Sequence, residues 1–372
     1  MKYYYSTILL IACSLLANGS WSQQTNETMT VGAVTRNYIK YLPAGLNVQT
    51  EEVSLVVILH GLGDVNSNMA AAGFNNIADT ARIIAIYPQG KPNSWGQNSW
   101  NNGTLLSSSV DDIAFMSQII DEMSVTYNID PSRVYFTGFS MGSIMSYHVA
   151  CALNDRVAAI GCMAGTMSTS DIQSCVPAYA TPVIHLHGTA DGTVPYNSNP
   201  LPSLSLVPET MAFWRNVHGC DAAADSLRIT DYAPGDNITV DRFRYDNCSP
   251  SGSVELWRLN GADHIYLYRP VNDITEMIEV WLFLRKWTHP SPTILGLSGN
   301  KENYLSVAPN PSEGSFSVKS TSDAAYTIVS MNGRTIQSGK LQSGENAIDL
   351  NGQANGIYLL NVGTSVYKLV KK

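Results

Sequence analysis

Val134-Tyr135-Phe136-Thr137-Gly138-Phe139-Ser140-Met141-Gly142, with Ile144–Leu153 directly behind it, decides how this chain folds. The apolar, β-branched and aromatic residues up to Thr137 predict a buried strand, and Ile144–Leu153 predicts a helix. Between them stands the pattern G-x-S-x-G. A strand that turns straight into a helix needs glycines there, because the tight backbone leaves no room for side chains beside the serine. The following helix then points its N-terminus at Ser140, where it favours developing negative charge. Five-residue patterns recur by chance; the strand before this one and the helix after it give it meaning.

Outward from the turn, short apolar runs alternate with helical patterns between Glu51 and Thr288. Val53–Leu59, Ile83–Tyr87, Val134–Thr137, Val157–Met163 and Val183–Leu186 read as strands buried on both faces, which suits a parallel sheet. Ile113, Met116, Ile119, Ile120 and Met123 recur at helical spacing, so Asp111–Tyr127 is expected to be a helix with an acidic start. Ile274, Ile278, Trp281, Leu282 and Arg285 predict a last helix. The fold class is therefore α/β, a mostly parallel central sheet flanked by helices.

A serine hydroxyl attacks poorly until a base takes its proton, and the base needs a carboxylate to orient it. On this kind of sheet the order along the chain is serine, acid, histidine. His60, His148, His185 and His187 come before any suitable acid that follows Ser140. Of the rest, His218 ends a helical pattern and His289 lies in a linker-like stretch, whereas His264 follows the strand Val254–Leu259 in the turn Asn260-Gly261-Ala262-Asp263-His264. Asp191 is the expected acid, because it follows the strand Val183–Leu186 and so lies at the carboxyl edge of the sheet, where ligands bind. Asp263 and Asp171 are weaker competitors. The oxyanion of an acyl-transfer step would need two N–H donors, expected from Met141, next to Ser140, and from Leu62 in the loop His60-Gly61-Leu62-Gly63. No cysteine or histidine spacing suggests a metal, and the chemistry needs no cofactor.

Composition sets the context. Charged residues make up only 14% of the 372 and hydrophobic ones 44%, which fits a well-buried chain and argues against disorder. A formal charge of −8 leaves no basic stripe for nucleic acid and favours a neutral or esterified substrate over an anionic polymer. Lys2, the apolar stretch Ile8–Leu16 and the small residues Ser20 and Ser22 read as an export signal over residues 1–22, too short to span a bilayer as a helix. Leu10-Ile11-Ala12-Cys13 has the order of a lipoprotein box, but it falls early and apolar residues continue beyond it. Export permits disulfides. Cys220 with Cys248 is the first expected pair and Cys151 with Cys175 the second, with Cys162 left as a buried thiol.

After Trp287 the texture changes. Residues 289–303 are rich in Pro, Gly and Ser and read as a linker that separates a catalytic body, 23–288, from a tail, 304–372. The tail shows short alternating strands between turn signals such as Asn332-Gly333 and Asn351-Gly352, the pattern of a small β-sandwich. With neither histidine nor cysteine, it is a poor place for chemistry. It resembles the C-terminal sorting domain of the type IX (Por) secretion system, in Val307-Ala308-Pro309-Asn310-Pro311, Asn332-Gly333-Arg334, Asn355-Gly356-Ile357-Tyr358-Leu359-Leu360 and the basic end Lys368–Lys372. That resemblance implies handling by the type IX machinery, passage across an outer membrane, and release or surface attachment. An adhesive or carbohydrate-binding module is the alternative.

The body resembles the secreted feruloyl esterase, acetylxylan esterase and polyhydroxybutyrate depolymerase group of α/β-hydrolases. The matching stretches are Arg36-Asn37-Tyr38, Leu59-His60-Gly61, Tyr87-Pro88-Gln89-Gly90, Val110-Asp111-Asp112, Asp130 to Gly142, His187-Gly188-Thr189-Ala190-Asp191 with Val194-Pro195-Tyr196, and Gly261 to His264. The resemblance supports Ser140, Asp191 and His264 as a triad. Ser143 departs from it, where a second glycine often follows the turn. It implies an acyl-enzyme ester hydrolase acting on feruloyl or acetyl esters of plant polysaccharide. An aliphatic polyester is the runner-up, a peptidase on the same fold comes third, and a binding protein with an inactive turn is the contrasting class. Trp95 and Trp100, among the asparagines of Pro92–Gly103, would either stack on an aryl or sugar ring or simply pin the loop to the body.

Overall fold

The computed structural model describes residues 22–47, 50–198, 201–248, 252–292, 305–330, 334–362 and 365–372. The expected export signal, most of the linker and the turn at Asn332-Gly333 lie outside the described residues. Gln23–Val31 (β1) and Val34–Leu42 (β2) form an antiparallel hairpin. Val53–Leu59 (β3) is buried along its whole length. Asn66–Ala71 (α1), Phe74–Ala81 (α2) and the buried strand Ile83–Pro88 (β4) follow, then the two-residue pieces Lys91–Pro92 (β5) and Asn98–Ser99 (β6), which pair with each other.

Asp112–Thr126 (α3) begins where expected. Asp111 is its N-cap, its carboxylate accepting the Ala114 N–H at 2.8 Å, a contact worth about 1 kcal/mol. Phe115, Met116, Ile119, Ile120 and Met123 form its buried face. Ile129–Phe139 (β7) is longer than the apolar run predicted, and Met141–Ala152 (α4) starts one residue after it. Ala159–Met163 (β8), Thr169–Ser174 (α5), Val183–Gly188 (β9) and Val207–His218 (α6) complete the parallel part with its flanking helices. Ala224–Arg228 (β10), Thr239–Tyr245 (β11), Val254–Asn260 (β12) and Glu276–Leu284 (α7) close the body.

Ten strands form one sheet in the order β1-β2-β4-β3-β7-β8-β9-β12-β11-β10. From β4 to β12 every neighbouring pair is parallel, and only the two flanks are antiparallel. Hydrophobic clusters cover both faces. That is why β3, β4, β8 and β9 read as continuous apolar runs, each fully buried aliphatic side chain contributing about 1.5–3 kcal/mol. β3, β7, β9 and β12 all run the same way, so the residues that follow them meet at one edge.

Two disulfides staple the body, Cys151–Cys175 and Cys220–Cys248, and Cys162 is a buried free thiol, all as expected. The packed body runs past the expected boundary at 288. His289 is buried, its N–H donates to the Ser132 carbonyl at 2.8 Å, and its ring lies 4.2 Å from that of Tyr179. A Pro- and Ser-rich stretch looks like a linker whether or not its one histidine is anchored, so composition does not reveal these contacts.

In the tail, Leu305–Ala308 (β13), Ser315–Ser320 (β14), Ala324–Ser330 (β15), Thr335–Leu341 (β16), Gly344–Asp349 (β17), Gly356–Val362 (β18) and Ser365–Lys371 (β19) make two antiparallel sheets, β13-β14-β17 and β16-β15-β18-β19. Phe316, Val318, Ile328, Ile348, Leu360 and Leu369 belong to the single cluster they enclose. No helix among the described residues is long and apolar enough to cross a membrane.

Candidate active site

Ser140 alone makes the turn from β7 to α4, with φ 56° and ψ −120°. A positive φ on a non-glycine residue costs on the order of 1–2 kcal/mol and must be held by its surroundings. Here the Ser140 N–H donates to the Met163 carbonyl at 2.8 Å, and its own carbonyl accepts the Ser143 N–H at 2.9 Å. A Cβ on Gly142 would lie 2.1 Å from the Leu59 carbonyl oxygen, so that position admits only glycine. Ser143 fits where a glycine often stands, because its buried hydroxyl donates to the Gly165 carbonyl at 2.6 Å.

His264 Nδ1 lies 2.7 Å from Asp191 Oδ2. The other carboxylate oxygen of Asp191 accepts the N–H groups of Thr193 at 2.8 Å and Val194 at 2.7 Å. Burial pulls the Asp191 carboxyl upward, but hydrogen bonds from His187, His264 and the Val194 N–H outweigh it and hold it well below the usual carboxylate range. The competitors are occupied elsewhere. Asp263 Oδ1 accepts the N–H groups of Gly192 and of its own neighbour His264, and Asp171 faces His148 at 2.9 Å.

Ser140 and His264 open onto one cavity of about 450 Å³. Ser140 Oγ makes no hydrogen bond among the described residues; such contacts are often loose before substrate binds. Leu62 and Met141 line the same cavity, and neither main-chain N–H has an acceptor among the described residues. A Cβ on Gly61 would come 3.4 Å from that of Ser140, so the loop after β3 passes directly over the turn. The walls are mostly aliphatic, among them Leu62, Leu105, Leu106, Ile144, Val194 and Leu204, with the hydroxyl residues Thr104, Thr193 and Ser203, no charged side chain and no aromatic ring besides His264. Among the described residues no group of three or more His, Cys, Asp and Glu side chains is placed to hold a metal ion.

The tryptophan loop divides. Trp100 is fully buried and donates its indole N–H to the His60 carbonyl at 2.8 Å, so stacking on a substrate by Trp100 is corrected to pinning the loop. Trp95 is 65% exposed but does not line the cavity. His60 is structural: its Nε2 accepts the Gly90 N–H at 2.9 Å, and burial keeps its pKa below the ordinary value. Sequence reasoning passed over His187, whose Nε2 lies 3.2 Å from Asp191 Oδ2. Its period-two spacing from His185 in an apolar strand was the available signal.

Two families match the chain, Phospholipase/Carboxylesterase over residues 46–201 and a secretion system C-terminal sorting domain over residues 306–372. A bifunctional acetylxylan esterase/xylanase of Neocallimastix patriciarum is 28% identical over 70% of this chain and 34% of its own. A poly(3-hydroxyalkanoate) depolymerase C of Paucimonas lemoignei is 26% identical over 60% of this chain and 57% of its own. A probable feruloyl esterase C of Aspergillus clavatus is 30% identical over 57% of this chain and 74% of its own. The match thus spans about a third of the first relative and just over half of the second. With the strand–serine–helix turn and the strand-end acid and histidine in place, the chain belongs to the feruloyl esterase, acetylxylan esterase and polyhydroxybutyrate depolymerase group of α/β-hydrolases, and it ends in a Por sorting domain.

Proposed function

We propose that this chain is an exported serine carboxylic ester hydrolase that works through an acyl-enzyme on feruloyl or acetyl esters of plant polysaccharide. The observation that carries the reading is the Asp191–His264 pair, 2.7 Å apart, facing the cavity that Ser140 floors. His264 Nε2 takes the Ser140 hydroxyl proton as Oγ attacks the ester carbonyl. The anionic tetrahedral oxygen is met by the N–H groups of Met141 and Leu62. The proton passes from His264 to the leaving alcohol, and water then repeats the sequence to release the acid. Asp191, kept ionised, holds the imidazole and stabilises its charged form. The acetylxylan and feruloyl esterase relatives support the substrate class, and the sorting domain supports export.

A second reading has an observation of its own. An uncharged, aliphatic cavity wall also suits the short branched acyl units of an aliphatic polyester. Hydrolysis by residues 23–292 on methyl ferulate, acetylated xylan, a short-chain nitrophenyl ester and polyhydroxybutyrate, each beside Ser140→Ala, separates the two. Turnover of ferulate or acetylxylan that vanishes in the variant is expected. Polyester turnover alone moves the assignment to the second reading. Ligand binding without hydrolysis by the parent chain leaves an inactive binding protein.

A further inference from the structure

Behind Asp191, away from the cavity, three polar side chains stand in line inside the core. Tyr147 Oη is 2.8 Å from His185 Nδ1, His185 Nε2 is 3.1 Å from His187 Nδ1, and His187 Nε2 is 3.2 Å from Asp191 Oδ2 and 2.8 Å from the Val194 carbonyl. Tyr147, His185 and His187 have no exposed surface. Polar groups buried this deeply are costly unless each is paired, and a series that ends on an ionised carboxylate has its proton positions dictated from that end.

His187 Nε2 faces two oxygens that only accept, so it carries a proton. Two adjacent charged imidazoles in a dry core are excluded by their solvation cost, and burial, with His187 beside it, holds His185 well below its ordinary value. If both rings are neutral, His187 Nδ1 accepts and His185 Nε2 donates to it. His185 Nδ1 is then an acceptor, filled by the phenol O–H, which burial keeps protonated. Each donor then faces the same way along the series, which ends with His187 Nε2 on the Val194 carbonyl and 3.2 Å from Asp191 Oδ2.

We propose that Tyr147, His185 and His187 are positioning residues, a one-way buried relay that fixes the Asp191 carboxylate behind His264; this rests on reading Asp191 and His264 as the catalytic pair. Asp191 Oδ1 accepts two backbone N–H groups, while Oδ2 lies 2.7 Å from His264 Nδ1 and 3.2 Å from His187 Nε2, whose hydrogen bond to the Val194 carbonyl ties the ring to the residue whose own N–H is held by Oδ1. Tyr147 comes from α4, the helix that begins at Ser140, and its ring stacks 6.1 Å from Trp214. The relay therefore ties the helix behind the nucleophile to the strand that carries the acid. Chains of this kind polarise one another, so losing the far end weakens the near one.

The first test needs no substrate. Nitrogen-15 NMR of the full chain labelled at histidine should show His185 and His187 both neutral and protonated at Nε2. A ring protonated at Nδ1, or a charged ring at either position, overturns the relay whether or not the chain proves to be an esterase. The second test uses turnover. Tyr147→Phe keeps the buried ring and should lower kcat about 3- to 10-fold with KM unchanged, while His187→Leu should lower it roughly 100-fold. His187→Gln restores an N–H toward Asp191 and should recover about tenfold of that loss. Equal losses in the Leu and Gln variants, or a change confined to KM, reduce His187 to a packing residue. If His187→Leu does not fold, Tyr147→Phe and the tautomers decide. Failure of the esterase reading shows separately, as no turnover by the parent chain.

Discussion

The catalytic body and the tail are both built on β-sheet, yet they treat their side chains in opposite ways. β3 is buried at every position, whereas β14 alternates, with Phe316, Val318 and Ser320 turned in and the residues between them turned out. A parallel sheet covered on both faces leaves only its edges for polar chemistry, so the turns after β3, β7, β9 and β12 must supply it. An antiparallel sandwich spends half of each strand on an outer surface and half on its single core cluster. Histidines and cysteines follow the same division, since residues 304–372 contain neither.

The most forceful way to break this division is Ser140→Ala. On the proposed serine mechanism, ester turnover should fall by about 10⁴-fold or more, because a nucleophile, its base and its acid act as a unit. Activity that survives would place the chemistry away from the carboxyl edge. A second test sharpens the line between core and surface inside a single loop. Trp100→Ala should cost about 3–5 kcal/mol in urea unfolding, since it empties a buried indole site and orphans the His60 carbonyl. Trp95→Ala should stay within about 0.5 kcal/mol. Similar losses from the two would mean that the loop is pinned by both.

The difference between these tryptophans also shows where sequence reading stops. In an asparagine-rich loop, a ring that turns inward and one that turns outward carry the same local signal, and only the His60 carbonyl distinguishes them. The candidate residues Ser140, Asp191 and His264 could be picked out because each follows a readable strand, a continuous apolar run before Ser140 and Asp191 and a mixed one, Val254–Asn260, before His264. The hairpin β1–β2 went unread, because in β1 only Met29 and Val31 are buried and the rest looks like polar loop. His185 and His187 sit within an apolar strand at period-two spacing, which places them on one face but does not show that His187 lies beside Asp191.

A smaller effect separates the two regions by pH. Glu276, in the first turn of α7, is buried, and its Oε1 accepts the Leu267 N–H at 3.2 Å. Burial pushes its carboxyl from 4.5 up to about 8, only partly offset by that bond. Across that window the folded chain keeps a proton that the unfolded chain has released. Stability is therefore fullest below the lower value and falls as pH rises, by up to about 1.4 kcal/mol per unit. Glu276→Gln should flatten this slope. The tail has no buried carboxyl among its described residues, so its own transition should not share the slope. If both transitions tilt alike, the pH dependence does not originate at Glu276.

The finest test is where the body stops. Tyr135 donates its hydroxyl to the Trp287 carbonyl at 2.7 Å, and His289 follows with its N–H on Ser132 and its Nε2 3.1 Å from the Asn154 carbonyl. A chain cut after Pro292 keeps all three contacts and should match the full body in kcat/KM within about twofold and in unfolding midpoint. A chain cut after Thr288 loses the two that involve His289, and should unfold with about 1–2 kcal/mol less stability at unchanged kcat, since Ser132 lies at the other end of β7 from Ser140 and Asn154 lies just past the far end of α4. Equal stability for the two cuts would return the boundary to 288. Loss of turnover on removing residues 293–372 would do more, because the tail would then contribute to the site and the separation of address from chemistry would fail.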